Sequence, residues 1–446
     1  MATLQSGQSS AIMKSDSETS IELNTIQRDV EAPKEAPHGP PPPPPNGGTR
    51  AWLQVLGAFF LNFNTWGLLN TFGIFQSEYS SGILSSSSES AISWIGSIQA
   101  FLMLVVCVLC GRLLDAGHFY VDIVAGVLLS VFGMMMTSLA KEYWQVLLAQ
   151  GFAVGIGAGM VFMPAIQIIG TYFSTRRSTA MGLAAAGSSV GGIVYPILLR
   201  SLIPSVGLAW AIRILAFVML GTLAISVCVM RPRRDLPPRK SGPLINVDSL
   251  RTPAFAIWLF AVFFTFIGLY IPFFYVSKYA LNIGVSQDVA FYMLIIMNAG
   301  SVPGRIFPSM VADKIGNLNI MIPAVLSSGI IALAWMRATT QPGLIAVCFF
   351  LGLASGSIQA VLPANVPALC PDLTMLGTNL GMTMFASGLG LLIGSPVAGV
   401  ILDRQSSASG EVYWGMLTFA GITVLVGGLL LIVVRVIRIG FAISKA

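Results

Sequence analysis

Charge is scarce in this chain of 446 residues: Asp, Glu, Lys and Arg together make up 9%, where soluble domains carry about 25%. Hydrophobic residues make up 55%, and the mean hydropathy is +0.81. That balance excludes a water-soluble globular protein and leaves one that crosses a membrane several times. Histidine is nearly absent, with only His38 and His118, and the 18 acidic residues fall in the N-terminal segment, in loops or near the ends of apolar runs. A buried Asp/Glu/His relay is therefore not expected, and any proton coupling would have to use the substrate's own acid group or a carboxylate near a span end. Five cysteines, an odd number with no cluster in one loop, argue against a disulfide framework. Cys107 and Cys110 form a C-x-x-C pair without a further Cys or His nearby, so both read as packing residues and no metal site is expected. Ser-His-Asp and Cys-His sets are likewise missing from the apolar runs, which argues against an enzyme. No cofactor is expected.

What the chain does have is apolar runs of the roughly 20 residues needed to cross the hydrocarbon layer. Spans are expected near 52–75, 92–112, 119–139, 143–168, 178–200, 209–230, 253–276, 288–310, 318–337, 343–366, 375–401 and 413–434. Residues 1–49 are rich in Ser, Glu and Pro, with a proline run from Pro40 to Pro45, and cannot bury a core. They read as a disordered tail whose proline run is a stiff spacer or, less simply, a polyproline II ligand. Of the 24 Lys and Arg, 18 lie on one side if both termini are placed inside, so both termini are expected in the cytoplasm. The net charge of +6 is then an insertion signal and a match to anionic lipid, and says nothing for nucleic acid.

Two stretches repeat at an offset of 199 residues. Gly157 and Pro164-Ala165 return as Gly356 and Pro363-Ala364; Gly182, Ser188 and Gly191 return as Gly381, Ser387 and Gly390. A parallel repeat in a helical membrane protein predicts two similarly built halves related by an axis along the membrane normal, the plan of transporters. The expected fold is all-α: two six-helix bundles, 50–230 and 253–435, joined by a basic linker 231–252, with tails 1–49 and 436–446. Gly151, Gly155 and Gly159, and Gly352 and Gly356, form small-xxx-small faces for close helix approach, and Pro164 and Pro363 are matched kink points.

Gly111-x-Leu113-x-Asp115 at the end of the second span, and Ala312-Asp313-Lys314-Ile315-Gly316 at the end of the eighth, resemble the loop motif of the major facilitator superfamily. The resemblance implies that Asp115 and Asp313 cap neighbouring helix N-termini and hold an inner gate. From about residue 46 onward the chain also looks like the monocarboxylate porter family of that superfamily, in particular its fungal branch. The resemblance is carried by Asn46 to Trp52 opening span one, Gly73-Ile74-Phe75-Gln76 closing it, Tyr172 to Gly182 entering span five, and Asn298 to Arg305 on span eight. Asn46 stands where that family's signature has an acid, Asn70 where its animal members have a lysine, and Ser301 where they have an aspartate beside the retained Arg305. Proton-coupled lactate transport is therefore not implied.

Facilitator folds line their pathway with spans one, four, seven and ten, and neutral polar groups are enriched there. Asn62, Asn64, Trp66 and Asn70, with Gln99, Gln150, Gln167, Tyr270, Tyr275, Asn298, Gln359 and Asn365, are candidates to face a cavity, each with an alternative as interhelical glue. Arg305, a cation within a span, costs roughly 2.5–3.5 kcal/mol on insertion scales; it either binds an anionic substrate, serves the inner gate, or snorkels to the inner surface. The expected partners are a small amphipathic organic substrate and the lipid bilayer. Export of a fungal specialised metabolite across the plasma membrane is the leading expectation, with uptake of a monocarboxylate or vitamin-like nutrient, or a sensor without transport, as alternatives.

Overall fold

A computed structural model describes residues 43–115, 117–233, 243–370, 375–405 and 412–440, with only the backbone of Asp115. The expectations for residues 1–42, 234–242 and 441–446, and for the Asp115 side chain, lie outside the described residues. Every regular element described is helical: α1 (Thr49–Asn64), α2 (Trp66–Asn70), α3 (Phe72–Ser81), α4 (Glu89–Asp115), α5 (Phe119–Thr137), α6 (Tyr143–Tyr172), α7 (Arg177–Val229), α8 (Val247–Arg251), α9 (Pro253–Asn282), α10 (Gln287–Ile315), α11 (Asn317–Ala334), α12 (Gln341–Leu369), α13 (Leu376–Gln405) and α14 (Trp414–Ile439).

Ten of these helices are single runs long and apolar enough to cross a membrane. Two differences reconcile that number with the twelve expected spans. Helix α7 has 53 residues, about 80 Å at 1.5 Å per residue, and is two crossings meeting at Gly207, whose φ of 77° breaks the helix. The first span is divided into α1, α2 and α3. Its breaks fall at Thr65 and Thr71, whose hydroxyls donate to the carbonyls of Leu61 and Gly67 four residues back, both at 2.9 Å. Such back-bonding bends helices. The seventh span, α9, is likewise interrupted at Tyr270.

Large apolar residues such as Val121, Leu128, Phe260, Phe307 and Ile330 stand exposed on the helix faces, as a surface bathed in lipid requires. Between helices the glycines do what their spacing predicted. A side chain at Gly155 would meet the backbone of Gln99 at 2.9 Å, and one at Gly159 the carbonyl of Met103 at 2.8 Å, so α6 lies directly on α4. In the second half, side chains at Gly352 and Gly356 would run into the carbonyls of Met297 and Ser301, fixing α12 against α10. Helix α6 also holds a π-helical stretch, Leu147–Val154, a local widening often met at functional sites.

Asn46 secures the start of α1. Its Oδ1 accepts from the backbone N–H groups of Ser174 and Thr175 at 2.7 and 3.0 Å, tying the entry of the first span to the turn before α7.

Gly352→Val should cost about 1–3 kcal/mol by overpacking, seen as a lower melting temperature in detergent. Gly221→Val, whose added side chain meets nothing within 4 Å, should leave it unchanged; equal melting of the two variants would contradict the packed seam.

Candidate substrate site

Two charged side chains are buried among the described residues, Arg305 at 2% and Asp122 at 0% exposure. Asp122 sits in the first turn of α5 beside the Cys110 thiol, near a span end as expected, yet inside the helix packing. Arg305 projects from α10 into a central cavity of about 50 Å3. One water occupies about 10–15 Å3 on this measure, so in this conformation the space takes a few waters and no sizeable organic molecule.

The cavity wall is mostly apolar, with Trp66, Phe162, Ile166, Met181, Phe266 and Met384, interrupted by Asn62, Gln359, Ser387 and Arg305. Arg305 donates to neutral acceptors from three helices: Nε to Ser301 Oγ on its own helix at 3.1 Å, Nη1 to the Ala185 carbonyl on α7 at 2.6 Å, and Nη2 to Gln359 Oε1 on α12 at 2.6 Å. The Ser301 hydroxyl is itself paired with Ser189 across the halves at 2.8 Å. The Gln359 Nε2 has no hydrogen-bond partner, and neither has the Tyr270 hydroxyl. The Tyr270 ring stacks on Trp66 with centroids 5.7 Å apart. Both residues sit at breaks in their spans, the places where backbone geometry lets a transporter aim groups at its cargo.

The chain halves are latched on either side of this cavity. At the end where α1 begins, the Asp313 carboxylate accepts from the backbone N–H groups of Ser178 and Thr179, each at 3.0 Å, and from the Thr179 hydroxyl at 2.6 Å. It thus caps the first turn of α7 from the other half of the chain, where a negative charge meets the positive end of the helix dipole. At the opposite end Asn70 donates to Asn298 at 3.0 Å, the Tyr275 and Ser93 hydroxyls pair at 3.0 Å, and Lys278 lies 3.5 Å from Glu89. Arg200 bonds the Asp288 carboxylate and stacks over the rings of Phe291 and Tyr292.

Of the residues singled out in the sequence, Asn62, Trp66, Arg305 and Gln359 line the cavity. Tyr270 adjoins it through Trp66, while Asn70 and Asn298 bond each other in the seam towards the far end. Asn64 is bonded to Tyr195 and Thr222 of α7, Asn365 to Val361 and the Met321 sulfur, and Gln167 lies against Gly111; these three join helices and stand away from the cavity lining. Gln150 is held by the Tyr79 hydroxyl. The apolar lining, Phe162, Met181, Phe266 and Met384 among it, carried no signal in the sequence, because a cavity-facing Met or Phe reads the same as a lipid-facing one. Ser387 did, as the repeat partner of Ser188.

A helical membrane protein with a small polar-pointed cavity between two latched halves is a carrier. The chain belongs to the Major Facilitator Superfamily, whose family model matches residues 55–372. It is 41% identical over 86% of its length to the MFS-type transporter dbaD of Emericella nidulans, covering 86% of that protein. It is 34% identical to the agnestins efflux protein AgnL12 of Paecilomyces divaricatus, over 94% of this chain and 96% of the relative, and 35% identical to the aspyridones efflux protein apdF of Emericella nidulans, over 90% and 83%. Among solved structures, the nucleoside transporter NupG shares the fold with a TM-score of 0.64 at 14% identity, over 86% of this chain and 99% of that one.

Asp313→Ala should loosen the latch. Loss of a charge-assisted cap is worth about 1.5–3 kcal/mol, so a cysteine placed at Ala185 in a cysteine-free background should react roughly tenfold or more faster with a water-soluble maleimide. An unchanged labelling rate would contradict a gating role.

Proposed function

We propose that this protein exports a small amphipathic organic anion, a specialised metabolite of its cell, by alternating access. The observation that carries the reading is Arg305: a fully buried cation on the cavity wall whose hydrogen bonds all go to neutral groups. A carboxylate or enolate would bind it with charge-assisted bonds. Gln359 Nε2 and the Tyr270 hydroxyl, which have no hydrogen-bond partner, offer further polar contacts, and Trp66, Phe162 and Phe266 the surface for a carbon skeleton. The relatives described as efflux proteins for agnestins and aspyridones support export of compounds of this general kind.

In this reading the two six-helix halves, 50–230 and 253–435, rock about the cavity with the linker 231–252 between them. Asp313, with Asp115 in the matching position of the first half, serves the cytoplasmic gate, and the far-end pairs serve the outer gate. Asn62, Gln359, Tyr270 and Arg305 make the substrate contacts; Asn64, Asn70, Asn298, Asn365 and Gln167 keep the helices in register around them. The Lys/Arg asymmetry supports cytoplasmic termini, and export from the cell calls for the plasma membrane. The monocarboxylate-porter resemblance of residues 172–182 and 298–305 supports an acid as cargo.

Cells lacking the protein should retain secreted acidic metabolites, measured by mass spectrometry of cells and medium. Cells carrying Arg305→Ala should resemble them, because losing a charged hydrogen-bond partner is worth about 1.5–3 kcal/mol, or roughly 10–100-fold in binding. Normal secretion in Arg305→Ala cells would rule out this site, and lower uptake of an external acid in the deleted cells would reverse the direction.

A further inference from the structure

We propose that the cargo of this carrier is a planar aromatic acid, recognised by the stacked rings of Trp66 and Tyr270 together with Arg305. The inference rests on the anion reading of Arg305 above and names the kind of skeleton that bears the charge.

Aromatic rings make up one side of the cavity. Phe162, Trp66 and Phe266 line it, and Phe162 meets Trp66 edge to face with centroids 5.7 Å apart. Tyr270 stacks on both Trp66 and Phe266, at 5.7 and 6.4 Å with interplanar angles of 30° and 28°. Its phenol is buried within electrostatic reach of the Arg305 guanidinium, and its hydroxyl has no hydrogen-bond partner. A set of aromatic faces suits either an organic cation or another flat ring. The positive charge of Arg305 repels the first and welcomes the second, provided the ring bears an acid. Such a molecule would place its carboxylate or conjugated enolate on the guanidinium, its ring against Trp66 and Tyr270, and an oxygen within reach of the Tyr270 hydroxyl.

The same stack lies across the path. Trp66 belongs to the first half of the chain and Tyr270 to the second, and each stands 17 residues beyond the start of its span, at Thr49 and Pro253, about 25 Å at 1.5 Å per residue. Arg305 is ten residues from the end of α10 at Ile315, about 15 Å, so the rings roof the site on the side away from Asp313. One helical turn further, Asn70 bonds Asn298 across the same seam. Parting the halves on this side separates the two rings and removes their mutual contact. A flat ring between them gives a face contact back to each, whereas a saturated skeleton of the same size is thicker and has no π-system to offer. Aromatic pairs contribute beyond the area they bury, and two such pairs correspond to roughly 5–100-fold in binding. Buried area alone would favour the saturated acid, which carries more hydrogens on the same carbons. The direction of the preference therefore separates stacking from plain hydrophobicity.

The test uses purified protein in liposomes with two probes of one skeleton, 2-naphthoate and its saturated counterpart trans-decahydro-2-naphthoate, supplied together at equal concentration and measured inside the vesicles by mass spectrometry. Protein-free vesicles give the passive leak of each. The expected result is protein-dependent uptake that prefers the naphthoate by roughly fivefold or more, with the uptake of both acids lost in Arg305→Gln. Tyr270→Phe, which keeps the ring and removes the hydroxyl, should keep the preference, and Tyr270→Leu and Trp66→Leu should each bring the ratio close to one. Because a ratio is read, the fraction of each variant that folds drops out of the comparison. Arg305-dependent uptake of the two acids at equal rates, or a preference that survives both Leu replacements, would overturn the aromatic assignment and leave the anion site standing. Absence of any Arg305-dependent uptake of either acid would instead sink the anion reading, and the inference with it.

Discussion

The buried charge of Arg305 is the constraint around which the centre of the molecule is organised. A cation held in the middle of a membrane span is costly, and here the cost is offset by a serine one turn away, a backbone carbonyl from the other half of the chain and an amide from a third helix. These acceptors reach the guanidinium because the helices bearing them come unusually close. A side chain at Gly182 would run into the carbonyl of Arg305 itself, and one at Gly356 into that of Ser301. The two glycines of the internal repeat are therefore the condition for a satisfied arginine, and the arginine is the reason those helices cannot be spaced more loosely.

The two latches differ in their physics. Asp313 works through the backbone of α7, using unpaired N–H groups that every helix start offers. The opposite end relies on side-chain pairs, Lys278 with Glu89 and Arg200 with Asp288, partly open to water. Exposed ion pairs contribute only about 0–1 kcal/mol each and weaken with salt, so these two pairs add less to closure than the Asp313 cap does.

Much of this was legible in the sequence. The count and placement of the spans followed from apolar run length, and the glycine seams from a four-residue spacing that only close helix contact explains. The capping role of Asp313 followed from its loop motif. The division of the first span at Thr65 and Thr71 was not legible, because threonine within an apolar run gives no sign of whether its hydroxyl bonds backward. Nor could the amides be sorted: Asn62 and Asn64 are two residues apart, yet one lines the cavity and the other bonds Tyr195 and Thr222, a distinction set by helix rotation. Asp122 read as a span-end acid because sequence position fixes depth along a helix and not the face that is buried.

The wall around Arg305 is built of side chains that are interchangeable at little cost. Met181 and Met384 are unbranched and pliable, and Phe162, Ile166 and Phe266 take part in neither latch and hold no polar partner. In the proposed reading, the charge that captures a substrate and the shape that selects among substrates are carried by separate sets of residues. One set can then drift by single conservative replacements while the other stays fixed, so the proposed site could be retuned from one carbon skeleton to the next without relearning how to bind an acid.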